Sequence, residues 1–205
     1  MPWKKSIRVK LAVASPKKKK KLSMRKNNTK TIIVGVSASI AAYKSLDIVS
    51  ALRKEGYDVI VVMTKDALNF VGAISFQSLS GREVYTDMFT LASVWQNEHI
   101  VLADKADLVL VCPATADLIA KVSCGICDSL LSCVICATRA KILFAPAMND
   151  NMYQNKITQQ NINKLKTLGY EFIGPRFGRL ACGKEAVGCL EETDKILEAV
   201  RGLLE

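Results

Sequence analysis

Thr31-Ile32-Ile33-Val34-Gly35-Val36 is a short apolar run rich in β-branched residues, and it decides the fold. Apolar residues then recur at helical spacing from Ser39 to Glu55, where Gly56 ends the pattern. This order predicts a strand, a turn and a helix. A parallel strand that is buried on both faces is apolar at nearly every position, as residues 31–36 are.

Three further segments repeat the strand pattern, and helical patterns follow them along the chain. Strands that alternate with helices are typical of right-handed βαβ units. The sequence therefore predicts an α/β fold, a Rossmann-like three-layer αβα sandwich with a doubly wound, mainly parallel sheet. The glycine and proline at 174–178 predict a long irregular surface loop. The predicted strands are 58–63, 107–112 and 141–145, and the predicted helices cover 96–103, 116–121, 128–136, 154–168 and 193–204.

The formal net charge of +10 is concentrated at the start of the chain. Residues 1–30 hold 12 of the 29 Lys and Arg residues and no acidic residue. Like-charge repulsion among the five lysines at 17–21 predicts a basic, disordered tail over 1–30, followed by one domain over 31–205. A solvated extension, or a true start at Met24, is favoured over a nucleic-acid arm. No segment has the length of a membrane span.

Seven cysteines, an odd number, predict free thiols in a reducing compartment and hence a cytoplasmic protein. Cys124, Cys127, Cys133 and Cys136 have a spacing that resembles a metal site. Zinc ribbons separate their cysteine pairs by about a dozen residues or more, whereas the segment between these pairs is patterned as a helix. Packing of buried cysteines on helices is therefore favoured, and no metal is expected.

Small hydroxyl residues follow several predicted strands, where ligands bind in a doubly wound sheet. Hydroxyls and free amides at helix N-termini suit a phosphate group, although serine and threonine there are also ordinary helix caps. Residues 35–40 supply only one of the three glycines of the dinucleotide fingerprint, which favours a mononucleotide such as FMN over NAD. The segments are 37–40, 64–66, 113–117 and 146–152.

Three side chains could carry proton transfer or substrate binding. His99 is the single imidazole and the residue best suited to proton transfer near neutral pH. Asn149 follows a predicted strand, and Cys182 lies in a glycine-containing loop where it could protonate a carbanion. Each also has a structural explanation: a packed or solvated histidine, a helix cap and an inert thiol.

Four segments together resemble the phosphopantothenoylcysteine decarboxylases of coenzyme A synthesis, which belong to the flavin-containing cysteine decarboxylases. They are 35–44, 113–118, 146–153 and 180–183, and the likeness covers about Thr31 to Glu192. Three places depart from the family pattern: Ala38 replaces Gly, Asp117-Leu118 replaces Asn-Thr, and Tyr153 replaces Trp. A carboxylate at Asp117 would disfavour an anionic reduced flavin unless it is protonated or faces away.

The resemblance implies FMN-dependent decarboxylation of 4'-phospho-N-pantothenoylcysteine to 4'-phosphopantetheine through a thioaldehyde and an enethiolate. It assigns the base or orienting role to His99, carboxylate binding to Asn149 and the acid to Cys182, with Arg179 and Ala181 in a loop over the substrate. It also implies a homotrimer or a multiple of trimers, in which His99 of one chain faces Asn149 and Cys182 of another. The implied FMN contacts are Ala38, Ser39, Ile40, Thr64, Lys65, Asp66, Thr115, Ala116, Asp117, Leu118 and Ala147.

Two other functions compete with this one. Flavin prenyltransferases have a similar fold and bind FMN. They lack the segments with Met148-Asn149 and Ala181-Cys182-Gly183 that are found here. The second alternative is a non-catalytic regulatory protein with the same FMN-binding fold, which this chain also resembles. Such regulators use long acidic extensions, whereas the tail of this chain is basic.

Overall fold

The structure is a computed structural model that describes residues 29–88 and 97–205. The predicted basic tail lies outside the described residues, except for its last two positions. Six strands form one sheet and two form another. The first sheet contains β1 (Thr31–Val36), β2 (Asp58–Met63), β3 (Val84–Tyr85), β4 (Leu108–Ala114), β5 (Lys141–Pro146) and β6 (Glu171–Phe172), and the second contains β7 (Arg176–Arg179) and β8 (Glu185–Cys189).

Eight α-helices and two short 3-10 helices connect these strands in the described ranges. The 3-10 helices, Ile40–Lys44 and Lys65–Asn69, follow β1 and β2. The α-helices are α1 (Ser45–Lys54), α2 (Ala73–Ser80), α3 (Glu98–Lys105), α4 (Ala116–Ser123), α5 (Leu130–Ala137), α6 (Asp150–Gln154), α7 (Lys156–Thr167) and α8 (Thr193–Leu204).

The main sheet is doubly wound, as predicted. Its strand order is β3-β2-β1-β4-β5-β6, and every neighbouring pair is parallel. The chain builds outward from β1 in one direction and from β4 in the other. The switch point between β1 and β4 is the place where such sheets bind ligands.

Two apolar layers cover the faces of this sheet. On one face, Ile32, Val34 and Val36 of β1 pack with residues of α1, α2 and α8. On the other face, Ile33 of β1 and Val109 of β4 pack with residues of α3, α4, α5 and α7. The alternation of adjacent β1 residues between the two layers explains why this strand is apolar throughout. The predicted three-layer αβα sandwich is therefore confirmed.

Two details of the sequence-based prediction are wrong. The segment 174–178 was expected to be an irregular loop, but Arg176–Arg179 forms β7 and pairs antiparallel with β8. Backbone pairing between two short strands overrides the local turn composition there. The helix predicted over 154–168 is divided at Asn155, whose side chain accepts a hydrogen bond from the Ile157 backbone N–H at 2.9 Å and so starts α7.

The cysteine pairs lie between α4 and α5 and on α5. All seven cysteines are free, but Cys124, Cys127 and Cys136 are exposed, so the prediction that they pack as buried residues is wrong. Leucine, valine and isoleucine occupy the buried face of α5 instead. Within the described ranges no group of three or more His, Cys, Asp or Glu residues could hold a metal ion. No helix in those ranges is long and apolar enough to cross a membrane.

Candidate active site

A cavity of about 1040 Å³ opens at the carboxyl edge of the main sheet. Its size is at the upper end of the range for small-molecule sites. Loops that follow β1, β2, β4 and β5 line it, together with the β7–β8 hairpin. All the residues predicted to contact FMN lie on its wall: Ala38, Ser39, Ile40, Thr64, Lys65, Asp66, Thr115, Ala116, Asp117, Leu118 and Ala147.

Ser37 ties together the two loops at the switch point. It is 1% exposed, and its hydroxyl donates to the Pro113 carbonyl at 2.7 Å. The same oxygen accepts from the Thr115 backbone N–H at 3.0 Å. One buried hydroxyl therefore fixes the loop after β1 against the loop after β4, and this sets the floor of the cavity.

Three hydroxyl residues on the cavity wall differ in what they bind. Ser39 caps the first 3-10 helix by accepting from the Ala41 N–H at 3.3 Å, and it donates to the Ala147 carbonyl at 3.3 Å. Thr115 caps α4 by accepting from the Leu118 N–H at 3.4 Å. The Thr64 Oγ1 atom is buried and has no hydrogen-bond partner. A buried hydroxyl without a partner costs about 1–3 kcal/mol, so Thr64 fits a ligand that bonds to it.

Asp117 does not present an isolated carboxylate to the cavity. Its Oδ2 atom lies 3.2 Å from the Lys121 ammonium, and its side chain is 71% exposed. Asp128 contacts the same ammonium at 3.2 Å. Hydrogen bonds from Lys121 to Asp128 and Asp117 raise the pKa of the lysine. The Asp117 charge is therefore compensated by the Lys121 ammonium.

Asn149 combines a structural role with an open donor. It caps α6, because its Oδ1 atom accepts from the Asn151 backbone N–H at 2.9 Å. Asn149 lines the cavity, and its Nδ2 group donates to the Cys182 Sγ atom at 4.0 Å, which leaves one of its two N–H groups to bind a ligand. Both of the sequence-based explanations for Asn149, helix cap and ligand donor, are compatible with this one side chain.

Cys182 lies in the turn of the β7–β8 hairpin. In that turn the Leu180 N–H donates to the Lys184 carbonyl at 2.8 Å. Close backbone packing holds β8 on the loop before α6, where the Met148 N–H donates to the Gly188 carbonyl at 3.0 Å. A Cβ atom at Gly188 would lie only 2.2 Å from the Met148 carbonyl oxygen, so this approach requires glycine.

The hairpin brings together two residues that are 33 positions apart in sequence. The Asn149 Nδ2 and Cys182 Sγ atoms lie 4.0 Å apart. Arg179 and Ala181 also line the cavity. An amide donor and a thiol therefore meet on one wall, an arrangement that can bind a carboxylate and deliver a proton.

His99 is not on this wall. It is the second residue of α3, is half-buried, and lies outside the residues that line the cavity of its own chain. Burial raises the pKa of the Tyr85 phenol, and the charges of Glu83 and then of Glu98, the neighbour of His99, raise it further. This places the start of α3 near the outer strand β3. Asn149 and Cys182 lie toward the opposite side of the sheet.

Several cavity residues were not predicted from the sequence. The spacing of Asp117 and Lys121 by four residues in a helix was a visible signal for their pairing. The others had no such signal, because only the fold brings them to the cavity. They include Tyr43, Lys44, Phe70, Thr86, Asp87, Met88 and Cys189.

Comparison with protein families shows which family this chain resembles. The model of the Flavoprotein family matches residues 20–205. The coenzyme A biosynthesis bifunctional protein CoaBC of Borreliella burgdorferi is 43% identical over 174 residues, which are 85% of this chain and 44% of that protein. The chain spans less than half the length of the CoaBC proteins that it matches.

Solved structures agree with the sequence comparison. A PPC decarboxylase mutant complexed with pantothenoylaminoethenethiol has a TM-score of 0.77 and 30% identity, covering 84% of this chain and 97% of that one. The FMN binding protein AtHal3 has a TM-score of 0.74 and 30% identity, covering 84% and 95%. The likeness inferred from the motifs is confirmed, and the chain belongs to the Flavoprotein family.

Proposed function

We propose that this chain is an FMN-dependent carbon–carbon lyase that converts 4'-phospho-N-pantothenoylcysteine to 4'-phosphopantetheine in coenzyme A synthesis. The observation that carries the proposal is the 4.0 Å approach of Asn149 Nδ2 and Cys182 Sγ on the wall of the cavity. The matching CoaBC proteins are named for coenzyme A biosynthesis, and a similar PPC decarboxylase binds an enethiol compound.

The cavity residues fit FMN. Thr64 offers a buried hydroxyl without a partner, and Ile40 and Ala116, the first residues of the helices after β1 and β4, line the same cavity. Lys44 lies on the same wall and forms no ion pair with a described residue. These groups suit the phosphate and ribityl oxygens, while Ile40, Phe70 and Met152 offer apolar surface for the ring.

Bound FMN would supply the reversible two-electron oxidation of the substrate's carbon–sulfur unit, which gives a thioaldehyde able to accept the charge left by CO2. Asn149 binds the substrate carboxylate through its Nδ2 donor and holds it for release. Cys182 then gives its Sγ proton to the carbon of the enethiolate. Bound FMN would also return the two electrons after that protonation, so the reaction would be redox-neutral overall.

We propose that His99 acts in a site shared between chains of a trimer or a multiple of it. His99 does not reach the cavity of its own chain, and the cavity mouth exposes large apolar side chains. Ile40 is 60% exposed, Tyr43 56% and Phe70 48%. A neighbouring chain that covers these residues would bring its own His99 toward the cavity and exclude water from the flavin. The seven free thiols support a location in the reducing cytoplasm.

The purified protein is expected to be yellow, with one FMN per chain. Thr64→Val removes the hydroxyl that has no protein partner, so FMN loses a hydrogen bond of about 1 kcal/mol and its Kd rises about fivefold. Quenching of flavin fluorescence on titration measures this change. Thr158→Val makes the same substitution in α7, outside the cavity, and should leave the Kd unchanged. A colourless protein that fails to take up added FMN would refute the proposed function.

Two variants that do not form 4'-phosphopantetheine alone are expected to form it when they are co-expressed. His99→Asn and Cys182→Ser each damage one half of the proposed shared site. A mixed trimer contains sites in which the intact His99 of one chain meets the intact Cys182 of its neighbour. Formation of 4'-phosphopantetheine by the mixture, and not by either variant alone, would support the shared site. A fully active parental monomer in light scattering would contradict it.

A further inference from the structure

An ion pair between a buried carboxylate and an exposed ammonium lies beside Asn149 and Cys182. Asp150 is the first residue of α6 and is 3% exposed, and its carboxylate contacts the ammonium of Lys184. The Lys184 side chain is 57% exposed. The hydrogen bond from Lys184 is the main reason that the pKa of Asp150 is lowered, and the same bond raises the pKa of Lys184. Both groups are therefore charged at neutral pH.

Each member of the ion pair lies close in sequence to a residue with a proposed catalytic or substrate-binding role. Asp150 directly follows Asn149, and Lys184 lies two residues after Cys182 in the same turn. The Lys184 carbonyl accepts from the Leu180 N–H at 2.8 Å, and the Gly183 N–H donates to the Leu180 carbonyl at 2.9 Å. The ion pair thus joins the turn that carries Cys182 to the helix start that carries Asn149.

The two ends of the hairpin are held in different ways. Near Gly188, backbone contact with Met148 fixes β8 on the body of the domain. At the turn, residues 180–185 make two polar side-chain contacts beyond the hairpin in the described part of the chain: Asn149 with Cys182, and Asp150 with Lys184. A thiol is a weak acceptor, whereas a hydrogen bond between two charged groups is strong. The ion pair is therefore the main polar attachment of the turn.

We propose that Lys184 is a positioning residue whose ion pair with Asp150 closes the hairpin turn over the cavity and holds Cys182 beside Asn149 for protonation of the enethiolate. Lys184 acts through Cys182 and touches no reacting atom. Without the lysine, the buried Asp150 carboxylate would need water, and the turn would open to admit it.

This inference rests on the proposed function for its catalytic part, so the test has one arm that needs no substrate. In that arm, hydrogen exchange of the amides at 180–184 is followed by mass spectrometry in the FMN-loaded protein. In the other arm, phosphopantothenoylcysteine is added, and CO2, enethiol and saturated product are each quantified. The variants are Lys184→Met, Asp150→Asn, the double variant and Lys184→Arg.

Lys184→Met and Asp150→Asn should speed amide exchange in the turn. In a single turnover of the FMN-loaded protein they should also slow protonation by up to about 100-fold, as expected for a displaced catalytic group, so that the enethiol persists although CO2 is released at the parental rate. Lys184→Arg should keep both the amide exchange of the turn and the rate of protonation close to the parental values, because it keeps the positive charge. Lys195→Met removes an ammonium that lies 3.5 Å from Glu191 on the surface, and it should behave like the parent.

The double variant distinguishes an ion pair that acts as a unit from two side chains that act independently. If the pair acts as a unit, the double variant should be no worse than either single variant. If the losses of the two single variants added up in the double variant, the proposal would be overturned. It would also be overturned if Lys184→Met changed neither the amide exchange of the turn nor the ratio of enethiol to saturated product. Faster exchange without enethiol accumulation would overturn the positioning role. If the parental protein releases no CO2, the proposed function fails, while the exchange arm still decides whether the pair closes the turn.

Discussion

In a single turnover of the FMN-loaded protein, the Cys182→Ser variant should release CO2 from phosphopantothenoylcysteine at close to the parental rate and yield up to one enethiol per flavin, because the two electrons are not returned. A serine hydroxyl is a far weaker acid than a thiol, whose ordinary pKa is about 8.5, and so it cannot protonate the carbon effectively. Loss of a general acid typically costs about 10²–10⁴-fold in the step that it serves. Product mass and CO2 release, followed together, separate this step from those before it.

Cys124→Ser is the matched control, because it makes the same change at an exposed thiol outside the cavity. This control should form saturated phosphopantetheine like the parent. If Cys182→Ser also formed saturated product at the parental rate, Cys182 would not be the acid. The 4.0 Å contact between Cys182 and Asn149 would then have to be explained as packing of the hairpin.

The Asn149→Asp variant should stop the reaction before CO2 is released. Aspartate can accept the same hydrogen bond from the Asn151 N–H, so the cap of α6 and the fold are retained. The change removes the Nδ2 donor and places a second carboxylate against the carboxylate of the substrate. Two like charges about 4 Å apart repel by about 4 kcal/mol at an effective dielectric constant of 20, which predicts on the order of a thousandfold loss of CO2 release.

Asn155→Asp tests whether this loss is specific. Asn155 caps α7 through the same kind of side-chain bond, to the Ile157 N–H at 2.9 Å, and it lies outside the cavity. Its substitution should preserve both CO2 release and the unfolding temperature. Parental CO2 release from Asn149→Asp would show that another group binds the carboxylate, and Arg179 on the same wall would be the next candidate.

The sheet was predictable because β1, β2, β4 and β5 are buried on both faces. Burial on two faces requires continuous apolar runs, which are visible without any structure. The edge strands β3 and β6 have only two residues each, too few for a pattern to be recognised. β7 contains an arginine at each end and a glycine, so its sequence has the composition of a turn.

The cavity wall was predictable where it follows the strands and less so elsewhere. Hydroxyl residues after β1, β2 and β4 could be assigned to one edge, because parallel strands place their carboxyl ends together. The approach of Cys182 to Asn149 depends on Gly188 packing against Met148, a contact between distant segments that leaves no periodic signal. The pairing of Asp150 with Lys184 has the same origin.

The separation of the chain into two sheets has an evolutionary consequence. In the described ranges, no strand-to-strand pairing joins β7 and β8 to the main sheet. A substitution or insertion in the hairpin turn at 180–185, away from the Gly188 contact with Met148, can therefore change the groups above the cavity without disturbing the frame that forms its floor. A lineage that inherits this frame is free to acquire a different acid, or to dispense with one, while the nucleotide pocket persists. Sequence changes that alter the chemistry within such a lineage should be concentrated in this hairpin turn.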